Sequence, residues 1–352
     1  MPHLLTRRAL LASAALALCG LLTNNAVAQA PAAAPAVLSK LRFSVNPGQL
    51  IYLPLFLAVD RGYFRAEGLD VQVVPYKGSA NSQMPLIARG DVDISSVIAG
   101  PAMFNQFADG FNIKLIATLT EPKAGFRDGV TLMVRKDLWD DGSIRKLADL
   151  RGKKVDGASE GNPIDFLLRS ALASAGLGKK DVTLSYKPRS ASDTPEILRQ
   201  KVVDVAGVSE PTATLIESQG IGVRWLSYKD IVPWYQETYL ASSEAFLRDH
   251  RDDVKRFLAG YLKAAREVAK AKGQWTPELL ALAAKWTGMP ADELSKIGGI
   301  PYWDVTGAVR VDSLSKVQAF WVDAGLVKKP VDANMMVDVT PLQGALKAMA
   351  PQ

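Results

Sequence analysis

LPLFLAVDRGYFRAEGLDVQVVPYKGSANSQMPLIARGDVDISS, residues Leu53 to Ser96, decides the fold class of this chain. The stretch predicts a short helix stopped at Gly62, a strand over Leu69–Val74, a turn at Gly78, a second helix, and a second strand over Val92–Ser96. Strands separated by helices are expected to run parallel, because antiparallel neighbours need only a tight turn between them. The class is therefore α/β, and this stretch is the first half of a doubly wound sheet. Such sheets place ligands beyond the carboxyl ends of their strands. Function is expected in the loops after Val45, after Ile94 and at their later counterparts.

Working outward, 352 residues with 48% hydrophobic content can bury two cores and are large for one compact unit. The first lobe opens with LRFSV (Leu41–Val45) and runs through IKLIATL (Ile113–Leu119). VTLMVRK (Val130–Lys136) starts a second lobe with its own strand and helix units, including helices from Pro163 to Ala175 and from Pro211 to Gln219. From Ser243 onward the pattern is helical. VKRFLAGYLKAAREVA sets Val254, Phe257, Leu258, Tyr261 and Leu262 on one face, and Trp286, Phe320 and Trp321 read as core.

Residues 1–28 read as a cleavable export signal: Arg7 and Arg8, an apolar run from Ala9 to Leu22, then Ala26-Val27-Ala28. TRRALL also resembles a twin-arginine signal, although two arginines serve an ordinary signal equally. Cys19 is the place for a lipid anchor, but Leu18 before it argues against one. Residues 29–39, rich in Ala and Pro, read as a disordered tether. The chain after the signal has no cysteine and one histidine, His250, in a charged helical run. Disulfides and thiolate metal sites are thereby excluded, and a histidine triad or zinc site nearly so. With Arg7 and Arg8 removed, 40 basic groups face 36 acidic ones. That scattered excess hints at anionic ligands and argues against nucleic acid.

The spacing of Ala58, Gly62-Tyr63-Phe64 and Glu67-Gly68-Leu69-Asp70-Val71, followed by Gly90-Asp91-Val92-Asp93-Ile94, resembles the periplasmic solute-binding proteins of ABC importers. The branch is that for nitrate, taurine, sulfonates and thiamine-pyrimidine precursors, the NMT1/THI5-like family. The likeness continues through DLRGKKV (Asp149–Val155), SEAFLRDHRDDVKRFLAGYLKA (Ser243–Ala264) and DANMMVDVTPL. It implies a type II two-lobed fold, with residues 40–128 and 243–352 in lobe one and 129–242 in lobe two. A two-strand hinge is then expected near residues 126–130 and 236–243. It also implies a periplasmic monomer without cofactor or metal, whose partners are a small-molecule solute and the permease and ATPase subunits.

Four helices are expected to start at a proline after a strand: at Pro54, Pro101, Pro163 and Pro211. Free N–H groups at such starts suit a small oxyanion without catalytic residue or metal. In GASEGNPIDF, Asn162 can cap, and Asp165 can reach back to the cap. Because the family binds its ligand at this loop, the resemblance carries over Ser159, Glu160, Gly161 and Asn162 as ligand contacts. From lobe one come Gln49, Tyr52 as a flat apolar wall, Ser95 and Ser96. Thr120 and Glu121 lie near the crossover, opposite Ser209 and Glu210. Trp234 either closes over the ligand or packs the hinge. Glu121, Glu160 and Glu210 around one crevice would need Lys123 or Arg127 to offset them, or a ligand with its own donor group.

The resemblance thus implies a non-enzymatic binding protein for a sulfonate or carboxylate, delivered to a permease. The alternatives are a thiamine-pyrimidine-type heterocycle, or a precursor-synthesising enzyme of the same fold. A ligand-sensing domain of a transcription regulator would need a DNA-binding segment where the export signal stands.

Overall fold

The computed structural model describes residues 38–186 and 193–350. The expected export signal, Cys19 and all but the last two residues of the expected tether lie outside the described residues. Ten strands form two sheets: β1 (Ser39–Val45), β2 (Leu69–Pro75), β3 (Ile94–Ile98), β4 (Ile113–Thr118), β5 (Val130–Arg135), β6 (Lys154–Asp156), β7 (Thr183–Ser185), β8 (Val205–Ser209), β9 (Gly222–Ser227) and β10 (Thr238–Ser243). The first sheet runs β2-β1-β3-β10-β4 and the second β7-β6-β8-β5-β9.

β1 pairs parallel to β2 and β3, as the helices between them require. Each sheet also takes one antiparallel strand next to its parallel set. β10 runs antiparallel to β3 and β4, and β5 antiparallel to β8 and β9. Both follow directly on a chain crossing, so they enter their sheet without the crossover helix that parallel pairing needs. The expectation that lobe two extends to residue 242 meets a different pairing: β10 lies inside the first sheet, so the return crossing precedes Thr238.

The motif residues that carry the family likeness hold this fold together. Asp93 accepts from the backbone N–H of Arg42 (2.6 Å) and from its guanidinium (2.6 and 3.2 Å), locking the start of β3 to β1. Phe64 stacks on Phe257 at 4.8 Å, against Gly260, where any Cβ would approach the Phe64 ring to 2.7 Å. Glu67 pairs with Lys263, and Tyr63 donates to Glu267. These contacts dock the helix Arg251–Ala269 on the first sheet, with Val254, Phe257, Leu258, Tyr261 and Leu262 all buried. Each large side chain so buried stabilises by about 2 kcal/mol.

The helix Val311–Asp323 links the halves a third time. Its Phe320 and Trp321 meet Phe166 of the helix Pro163–Ser174 at 4.9 and 5.9 Å. Of the three expected core aromatics, Trp321 is fully buried, while Trp286, stacked on Phe56, and Phe320 are partly buried against the core.

A cavity between the two sheets

A cavity of about 320 Å³ opens where the two halves face one another. Gln49, Leu50, Ile51 and Ile98 line it from the first half, Ile164, Ser209 and Glu210 from the second, and Met289 and Ile297 from the C-terminal segment. A pocket of about 40 Å³ adjoins it, lined by Thr120, Glu121 and Asp128 among others. Ile51, Arg127, Gly129, Glu237 and Pro301 line both spaces and so mark the polar end at the chain crossings.

Among the residues anticipated from sequence, Gln49, Asn162, Ser209 and Glu210 line the larger cavity, and Thr120 and Glu121 the smaller. The rest are placed elsewhere. The Tyr52 and Ser96 hydroxyls bond to one another at 2.6 Å, both fully buried, so Tyr52 is no wall of the cavity. Ser95 Oγ lies 3.1 Å from the Ser44 carbonyl and 3.0 Å from Gln83 Oε1 inside the core. Ser159 accepts from the Asn162 amide at 3.0 Å on the exposed side of its loop. Gly161, with φ +80°, abuts Pro101 across the lobes, where a Cβ would come within 3.1 Å of the proline ring. Trp234 packs edge-on against Phe166 with Lys316 over its ring, the hinge packing that was one of its two readings.

The three glutamates part company. Glu160 leaves the cavity and pairs with Arg169 (2.7 Å) and Lys179 (2.9 Å), which hold its carboxyl below the usual range. Glu121 takes Gln236 and Arg310, both at 3.0 Å. Glu210 stays at the cavity wall, accepts from the Thr214 N–H and hydroxyl, and pairs with Arg224 at 2.9 Å. It thereby occupies the helix start after Pro211 with a carboxylate of its own, leaving that start closed to a foreign anion.

The helix start at Pro163 is also largely satisfied from within. Asn162 caps it by accepting the Asp165 N–H at 2.7 Å, and Asp165 accepts the Gly161 N–H at 2.8 Å. Asp165 itself is fully buried, bound to Arg169 (2.8 Å) and the Tyr186 hydroxyl (2.6 Å). Pro54 and Pro101 do not line the cavity. The oxyanion expectation therefore moves to a side chain.

That side chain is Arg127. Its backbone N–H is fixed on the Ile300 carbonyl, and Gly298 leaves room for its guanidinium, since a Cβ there would stand 2.5 Å from Nη2. Its only ion pair among the described residues is Glu210 at 3.9 Å, and Glu210 is shared with the closer Arg224. Burial, then the neighbouring Arg224, disfavours its charge, a cost that an anion would relieve. Glu237, which sequence reasoning passed over, lines the same end. It is partly buried, and desolvation, with Asp128 second, pushes its carboxyl up to about 7. Among the described residues no cluster of His, Cys, Asp or Glu could hold a metal ion, and no helix is long and apolar enough to cross a membrane.

Comparisons with known proteins agree with this architecture. The riboflavin-binding protein RibY of Chloroflexus aurantiacus is 23% identical over 342 residues, 90% of this chain and 91% of its own. The periplasmic aliphatic sulphonate binding protein SsuA of Escherichia coli superposes with a TM-score of 0.68 at 19% identity, over 85% of this chain and 92% of that one. The periplasmic nitrate-binding protein NrtA of Synechocystis PCC 6803 gives 0.64 at 15% identity, over 89% of each. The family model described as NMT1/THI5 like matches residues 51–272. With that match covering more than half its length, the chain belongs to the NMT1/THI5-like family.

Proposed function

We propose that this protein is the solute-binding component of an ABC importer, exported to the periplasm, and that it captures a small sulfonate or carboxylate between its lobes for delivery to a permease. The observation that carries the reading is Arg127, a cavity-lining arginine whose only ion pair among the described residues is a long one, 3.9 Å, to a Glu210 already held by Arg224. The acid group meets Arg127, and the apolar body lies among Leu50, Ile51, Ile98, Ile164, Met289 and Ile297. A cavity of about 320 Å³ fits a small organic molecule. The crossings between Thr118 and Val130 and between Ser227 and Thr238 serve as the hinge. No nucleophile or general base is needed, and the solute leaves unchanged.

A thermal-shift screen of sulfonates, aromatic carboxylates, nitrate and aminopyrimidines tests this. A solute at one hundred times its Kd adds about 2.7 kcal/mol to stability. Stabilisation by aminopyrimidines alone, with no response to any acid, would overturn the reading, as would a reaction product found by mass spectrometry.

A further inference from the structure

We infer that Glu237 selects the solute, so that the cavity prefers organic acids that also carry an amino group or another N–H donor, the acid on Arg127 and the donor on Glu237. This deepens the organic-acid reading and rests on it. Glu237 sits immediately before β10, and its backbone carbonyl accepts the Ala99 N–H at 2.9 Å, which fixes the residue in place. Its carboxylate lines both spaces at their shared end, yet no described residue donates a hydrogen bond to it.

Two nearby tyrosine hydroxyls and the neighbouring acid are committed elsewhere. The Tyr228 hydroxyl donates to the Pro163 carbonyl at 2.8 Å, and the Tyr235 hydroxyl to the Ala99 carbonyl at 3.3 Å. The neighbouring acid Asp128 takes the Lys229 N–H at 2.9 Å. Glu121, Glu160 and Glu210 each have an arginine partner within 3.0 Å; Glu237 has none. A desolvated carboxylate without a partner is costly, and the group answers by holding its proton to about pH 7. Arg127 shares the cavity without pairing to it, so a cation and a carboxylate both stand open toward one space. A bare anion would satisfy Arg127 and leave Glu237 unmatched. A molecule bearing both groups satisfies both.

The test is calorimetric titration of the whole protein with matched pairs: propanesulfonate against its ω-amino derivative, and para-toluate against para-(aminomethyl)benzoate. The amino member of at least one pair should bind at least about tenfold more tightly, the value of one charged hydrogen bond. Glu237→Gln should reduce that preference to within about threefold. Unsubstituted acids binding as well as their amino partners to the wild type would overturn the inference while the organic-acid reading stood; so would a preference that survives Glu237→Gln. If no member of either pair binds and the wider acid screen is also silent, the organic-acid reading fails and this inference falls with it. The wild-type comparison decides the matter even if the variant does not fold.

Discussion

Within β3 the polar side chains are bonded to protein, whereas at the two chain crossings a guanidinium and a carboxylate are left open. Ser95 and Ser96 read from sequence like ligand contacts at the end of a strand, but the strand runs on to Ile98 and buries them. In the structure they close on Ser44, Gln83 and Tyr52. Arg127 and Glu237 have no comparable protein partners and face the same cavity. The contrast teaches that a polar residue at a strand end is a ligand candidate only if the fold has not already used it. Enclosed charges are tolerated when satisfied, so the unsatisfied ones mark where a solute belongs.

The sharpest way to break this comparison is to open a closed group. Asp165→Ala strips buried Arg169 of one of its two carboxylates, leaving Glu160, and removes the partner of the Tyr186 hydroxyl and of the Gly161 N–H; denaturant unfolding should show a loss of about 2–4 kcal/mol. A loss below 1 kcal/mol would mean the network is not a unit.

Removing an open charge should do the reverse. The folded protein keeps the Glu237 proton up to about 7, while an ordinary glutamate in the unfolded chain releases it near 4.5. Between these values the native state binds more protons, so wild-type stability falls as pH rises. Glu237→Gln lacks that fall and should be more stable than wild type by on the order of 2–3 kcal/mol at pH 8, with the gain gone below about pH 4. Parallel stability profiles for the two proteins would refute an open carboxylate.

Arg127→Met should weaken binding of a responsive sulfonate or carboxylate by about 10–100-fold with little change in unfolding midpoint. Unaltered affinity in titration calorimetry would move the anion elsewhere. The smallest effect belongs to Tyr52→Phe. It deletes the hydroxyl bonded to Ser96 and should cost about 1 kcal/mol in stability with no change in affinity.

Much of the fold was legible in the chain because its signals are local. The glycine-punctuated stretch from Leu53 to Ser96 dictates the parallel pairing of β1 with β2 and β3. The apolar stripe of VKRFLAGYLKA foretells the buried face of its helix. The site was legible only in part. Gln49, Asn162, Ser209 and Glu210 follow from their position after strands, but Tyr52 does not betray that its hydroxyl meets a serine 44 residues away. Glu237 carried no pattern at all, since its standing depends on which neighbours spend their donors elsewhere. Glu160 misled for the same reason: it is nine residues from Arg169 in sequence, and only the turn of the helix brings them together.

The place of β10 sets the order in which the molecule can be assembled. It alone joins β3 to β4, and the Thr118 hydroxyl meets the Thr238 carbonyl across 120 residues of intervening chain. A nascent chain that has emerged only to β4 holds two unpaired edges, and the helix that covers them on one side, Arg251–Ala269, comes later still. The first half therefore cannot finish before the second exists. Closing so long a loop makes folding slow by topology, so an interval of incomplete structure is built into the synthesis of this protein, during which β3 and β4 are open to pairing with other chains.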